Sequence, residues 1–307
     1  MPHGHPFRPD DGGPFSNRGG ILHAGGLAEV AVDRRTILAR ATLGAAGLAL
    51  AGSSYDIRRR DQGGRERSAC AIPDDPRGRL GRQQIIWSVP TREPVLALTF
   101  DDGPDPEFTP RILEVLARYG VHATFNVMGY NAVRHDDLLR AVAGAGHELG
   151  NHTWTHQDLA FQSAAATRQQ VENGLRAIRD TAGVRPRFFR PPRGELTGAA
   201  VEAAAELGCD ILLWSVARGP AGVGTPRAVA DHLAGTVGAG DIVALHDGIG
   251  RGTFARGSAA ARLLRARRSV EVAALPAVVE RVLDRGLRFV TAAALADAEP
   301  NTDPVRP

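Results

Sequence analysis

From residue 95 onward, the chain alternates between two kinds of segment, and that alternation constrains the fold more than any other feature. Short apolar, β-leaning runs stand at 95–100, 122–128, 147–151, 187–190, 210–216, 241–245 and 288–292. Between them lie longer stretches with helical spacing, such as 108–119 and 199–207, usually closed by a glycine (Gly120, Gly146, Gly183, Gly208, Gly240, Gly286). Strand–helix alternation calls for parallel strands covered by helices, and seven such units in roughly 200 residues suit a barrel better than an open sheet. In such barrels the chemistry gathers where strands end and loops begin.

The chain before this pattern has another character. Residues 1–33 are rich in Gly, Pro and polar residues without apolar period and read as disordered. Next come Arg34-Arg35, an apolar run from Ala41 to Gly52 and the small-residue pattern Ala49-Leu50-Ala51, which together have the form of a cleavable export signal. The twin arginine resembles the Tat type. The run falls short of the about 20 apolar residues a bilayer span needs, so membrane contact is expected only through an uncleaved signal. The alternative is a surface helix with chance arginines. The expected organisation is a leader plus signal over 1–52, a linker over 53–93, one barrel domain over 94–293 and a tail over 294–307.

All 37 basic residues are arginine, and 34 acids nearly balance them. The arginines are scattered and not interleaved with aromatics, which argues against nucleic acid as a partner. Export would permit a disulfide between Cys70 and Cys209; a buried thiol at Cys209 is the other reading.

Chemistry-bearing residues recur at the predicted strand ends. LTFDDGP puts Asp101 and Asp102 directly after the first strand. Side chains alternate along a strand, so adjacent acids there suggest a division of labour, while an Asp-Gly turn is the simpler account. HTWTH sets His152 and His156 four apart after the third strand; two imidazoles and one carboxylate make an open zinc-type set with a position left for water. Arg190 follows the fourth strand in FRPPRG, and His246 the sixth in ALHDG.

TFDDGP, HTWTH, RPP followed by G, and LHDG, in this order, resemble the motifs of the polysaccharide deacetylases, the NodB-homology or carbohydrate esterase family 4 enzymes. The resemblance runs over about residues 94–293 and includes ATFNVMG and the late RFVT. It implies a distorted (β/α)7 barrel and metal-dependent removal of N-acetyl groups from a peptidoglycan or chitin-like polysaccharide. By resemblance, Asp102, His152 and His156 hold the metal, Zn2+ or another divalent ion. Asp101 is the general base steadied by Arg190, and His246 is the general acid. Trp154, Arg193 and Leu245 are expected at the substrate.

The chain departs from the family pattern at informative places. Arg193 stands where Tyr is usual. WSV leads into Ala217-Arg218-Gly219-Pro220, without the Asp that steadies the acid histidine or the Trp beyond it, and Ala244 replaces the leucine that lines the acetyl pocket. The missing acid predicts a less basic His246 unless another carboxylate, Asp231 or Asp247, substitutes. Arg193 suggests preference for an anionic glycan. Two rival readings stay open: an amide hydrolase for another acyl group, and a non-catalytic wall-binding protein that keeps the metal and the groove.

Overall fold

The computed structural model describes residues 83–219, 224–250 and 257–298. The leader, the twin-arginine segment, most of the linker, Cys70 and the end of the tail lie outside the described residues, and with them the expected Cys70–Cys209 pairing. Cys209 itself is buried.

In chain order the elements are β1 (Ile85–Ile86), β2 (Val95–Asp101), α1 (Thr109–Tyr119), β3 (Thr124–Val127), α2 (Gly129–Arg134), α3 (Asp136–Gly144), β4 (Glu148–Asn151), α4 (Ala164–Ala182), β5 (Phe188–Phe189), α5 (Gly198–Glu206), β6 (Asp210–Leu212), β7 (Val216–Ala217), α6 (Pro226–Thr236), β8 (Ile242–His246), α7 (Ala259–Asp284), β9 (Arg288–Val290) and α8 (Ala292–Ala296). The strands run β1-β6-β5-β4-β3-β2-β8-β7, with β9 also beside β2, and these pairings are parallel. The result is a curled, helix-covered half-barrel of the α/β class, the distorted (β/α)7 architecture expected.

Strand β2 is the axis of this arrangement. All seven of its residues are buried, which explains why VLALTF reads as a continuous apolar run without alternation. Its register brings Asp101 level with Asn126 on β3 and with His246 on β8, so three strands deliver polar side chains at one height. On the helical side, Phe100, Ile112, Leu116, Leu233, Leu275 and Val279 belong to one core. Gly120 and Gly183 end α1 and α4 in the left-handed conformation, where a side chain would be strained.

Two details differ from the sequence reading. The run 210–216 is not one strand: Leu213 N donates to Ile86 O at 2.7 Å, whereas Ser215 N donates to Ile242 O at 3.0 Å. The chain changes neighbours between those residues, so β6 and β7 face different partners. Secondly, Ile85–Ile86, within the stretch read as linker, pairs with β6 as strand β1.

Candidate functional site

The adjacent acids open the site. Asp101 ends β2, and strand alternation would send the next side chain to the opposite face. Asp102 has φ 78°, in the left-handed region. That turn redirects its carboxylate, and both acids line one pocket of about 310 Å³. A non-glycine residue in this conformation costs roughly 1 kcal/mol or more and is held by its surroundings. Here the holding is close packing: a Cβ on Gly103 would lie 1.9 Å from the Asp247 carboxylate, and one on Gly248 2.4 Å from the Asp102 carbonyl. The glycines of DDGP and HDG therefore let the loops after β2 and β8 touch.

His152 and His156 converge on Asp102. Their Nε2 atoms lie 3.5 and 3.4 Å from Asp102 Oδ1, and one ligand atom from each residue falls within 4.8 Å of the others. His152 Nδ1 sits 2.8 Å from the Arg190 carbonyl, to which it must donate, so in the neutral ring its Nε2 is the atom with the lone pair. Asp102 Oδ1 is buried with no hydrogen-bond donor among the described residues. An acceptor left bare beside two imidazole nitrogens fits a divalent cation. Burial pushes the Asp102 carboxyl up, but His156, His152, His246 and Arg268 outweigh it and hold it well below the usual range.

Asp101 is separately gripped. Its Oδ1 accepts from Arg190 Nη1 and from Asn126 Nδ2, both at 2.7 Å. Arg190, 0% exposed, also donates to Thr99 Oγ1 and to the Leu212 and Leu213 carbonyls. Burial raises the Asp101 pKa, yet Arg190 and its other neighbours bring it below the ordinary value, so the group is ionised.

His246 lines the same pocket, and its partner is not one the sequence reading named. Glu271, on α7, places Oε2 3.1 Å from His246 Nδ1 and accepts from the His246 backbone N–H at 3.0 Å. Asp231 instead pairs with Arg281 and Arg227. Asp247 turns to Thr109, whose hydroxyl donates to it at 2.7 Å, and burial pushes its carboxyl up to about 8. The expectation that either acid replaces the missing carboxylate is thus corrected: the spacing along the chain did not reveal that α7 folds back over β8.

The expected substrate residues fall in different places. Arg193 lines the pocket but pairs with Asp158 at 2.6 Å. Trp154 stands edge-to-face with Tyr130 at 6.0 Å, and Leu245 is packed in the core, both apart from the pocket lining. The apolar lining comes from Trp214 and Leu264. Asn126, Arg218, Leu264, Arg268 and Glu271 were missed. ATFNVMG contained Asn126 in a buried strand, a detectable signal; Arg268 and Glu271 look in sequence like any exposed i,i+3 ion pair.

Strand-end carboxylates, a two-histidine cluster and a separate carboxylate-held histidine thus meet in one pocket at the edge of a parallel α/β barrel. The family described as polysaccharide deacetylase matches residues 88–212. A peptidoglycan-N-acetylglucosamine deacetylase of Bacillus cereus is 34% identical over 213 residues, 69% of this chain and 92% of that protein. A chitooligosaccharide deacetylase of Sinorhizobium fredii is 37% identical over 201 residues, 64% of this chain and 89% of that one. A solved peptidoglycan N-acetylglucosamine deacetylase, in complex with 4-naphthalen-1-yl-N-oxidanyl-benzamide, superposes with TM-score 0.62 at 29% identity, covering 71% of this chain and 95% of that chain. The chain belongs to the polysaccharide deacetylase family, hydrolases of carbon–nitrogen bonds other than peptide bonds.

Proposed function

We propose that the chain is an exported, metal-dependent deacetylase that removes N-acetyl groups from a cell-wall glycan. The observation that carries this reading is the convergence of the Asp102, His152 and His156 set with Asp101 and His246 in one pocket. A glycan-binding protein has no need of the last two.

Asp102, His152 and His156 would hold a divalent ion, Zn2+ by the chemistry of two imidazoles and one carboxylate, which would supply Lewis acidity toward the acetyl carbonyl and the attacking water. Asp101, ionised and fixed by Arg190 and Asn126, takes a proton from the attacking water as its oxygen adds to the acetyl carbon. The carbon–nitrogen bond then breaks, and His246 delivers a proton to the departing amine. Acetate and the free amino sugar result. Trp214 and Leu264 supply the apolar surface against the acetyl methyl.

Anionic peptidoglycan is the preferred substrate over neutral chitooligosaccharides. Support comes less from Arg193, already answered by Asp158, than from an adjoining hollow of about 400 Å³ where Arg134 and Arg262, together with Arg265 paired to Glu107, outnumber the one lining acid, Asp105. The barrel domain spans 94–293 with β1 added in front, and the twin-arginine signal directs export. Acetate release from peptidoglycan and from chitooligosaccharides, with and without chelator, tests the reading. Release from peptidoglycan that stops on chelation is expected; no release from either polymer by the metal-loaded protein would reject it.

A further inference from the structure

Position 217 lacks the acid that the family pattern puts beside the proton-donating histidine, and the site nonetheless contains one. We propose that Glu271, carried by α7, is the positioning residue for His246, holding the proton donor from a helix in place of a carboxylate on β7. The inference rests on the reading of His246 as the donor to the amine.

The contacts leave the Glu271 carboxylate fully engaged. Oε2 receives both the His246 backbone N–H and ring Nδ1, which must donate because a carboxylate only accepts. The ring is thereby fixed in orientation and tautomer, and Nε2 becomes the atom that carries the transferable proton. Oε1 lies 3.0 Å from Arg218 Nε and 3.2 Å from Arg268 Nη1. Glu271 is 2% exposed, and both arginines are buried. A buried charge cluster of this kind is a poor way to gain stability, because desolvation consumes much of the attraction. Its geometry is instead directed at the site: Arg268 also donates to Asp102 Oδ2 at 3.2 Å and to the Gly248 carbonyl at 2.9 Å.

The three residues that α7 brings to the site share one helical face. Leu264, Arg268 and Glu271 are spaced by four and three, and Leu264 and Arg268 line the pocket with His246. In the β7–β8 register Ala217 and Ala244 sit side by side and offer only methyl groups. One face of α7 therefore supplies an acid and a large apolar side chain, where these two strand positions supply no acid and nothing larger than a methyl group.

The test compares Glu271→Gln and Glu271→Asp with the unaltered, metal-loaded chain on two substrates. One is an N-acetylated peptidoglycan fragment, whose amine must be protonated to leave. The other is 4-nitrophenyl acetate, whose phenolate leaves without a proton. With ion content retained, Glu271→Gln is expected to lower kcat on the amide about 100-fold, within the range for general-acid catalysis, and on the aryl ester less than about threefold. Glu271→Asp keeps the charge between the two arginines but draws the carboxylate back from Nδ1. It should show the same selective loss in milder form, and it serves where the Gln variant does not fold. Equal losses on both substrates, or undiminished amide turnover in a folded variant, would overturn the assignment. Failure of the unaltered chain to release acetate from the amide would instead reject the functional reading above.

Discussion

On one side of the pocket, Asp101, Asp102, His152, His156 and Arg190 stand at or just beyond the ends of β2, β4 and β5. On the other, Leu264, Arg268 and Glu271 project from α7, a 26-residue helix. The first wall is placed by the parallel register, which sets Asp101 level with Asn126 and His246 before any side chain makes a contact. The second wall is placed by the apolar packing of α7, whose Val272, Leu275, Val278, Val279 and Val282 join the core, and ion pairs then tie its polar face to the site. A strand-end residue cannot move without breaking the sheet, whereas a helix face can exchange its side chains and still pack. The acid that holds His246 accordingly arrives by a different route here while the metal-set residues keep their motif spacing.

The largest effect expected tests the strand wall. Asp102→Ala or His152→Ala leaves two ligands, too few for a retained zinc-type site, and should abolish both ion content and acetate release. Elemental analysis of the purified variants checks this. Full ion occupancy in either would mean that the wall does not hold the metal.

The helix wall should give a graded response. Arg268→Gln removes the donor on Asp102 Oδ2 and one of the two cations on Glu271. Loss of an outer partner of a metal ligand typically weakens binding 10- to 100-fold, so the variant should bind Zn2+ about that much more weakly without losing the site. Titration against a competing chelator gives the number. Unchanged affinity would separate the two walls entirely.

These contrasts also explain what could be read from the sequence. The barrel was legible because β2, β3, β4, β5 and β8 are short apolar runs between helical periods. The Asp102–His152–His156 cluster was legible because DDG and HTWTH are contiguous. The local device that lets two adjacent acids face one pocket, φ 78° at Asp102, leaves no trace beyond the glycine after it. Glu271 was not legible: 25 residues separate it from His246, and burial alone distinguishes RSVE from a solvated helical pair. The break at Leu213–Ser215 was hidden for a related reason, since one apolar run can serve two strands with different neighbours.

A smaller effect sharpens the contrast within a single strand. His147 precedes β4 and His152 follows it, both buried. His147 Nδ1 accepts from Ala123 N–H at 3.3 Å, and burial, reinforced by His122, lowers its pKa from 6.5 to about 4. The unfolded chain therefore binds the extra proton first. Its contribution to stability is complete above pH 6.5 and is lost as pH falls from there towards 4. At about 1.4 kcal/mol per pKa unit the full loss is on the order of 3 kcal/mol. His147→Gln keeps an acceptor for Ala123 and should flatten that part of the urea-unfolding profile while leaving ion content unchanged. An equally steep profile in the variant would assign the acid sensitivity to other groups.

The smallest effect expected is at position 217, where the family pattern calls for an acid. Ala217 is exposed and lies beside Ala244, two residues before His246 on the neighbouring strand. Were His246 without a carboxylate, Ala217→Asp would raise turnover and extend activity to higher pH. Because Glu271 already accepts from Nδ1, the added acid has no free ring N–H to receive there, and turnover on the amide should change by no more than about twofold, the range of ordinary surface substitutions. In the Glu271→Gln background the same substitution meets a ring that has lost its anionic partner. Amide turnover should then recover about tenfold, with the aryl ester unaffected. A tenfold gain from Ala217→Asp in the otherwise unaltered chain would place the missing function on the strand after all, and the helix wall would then serve packing alone.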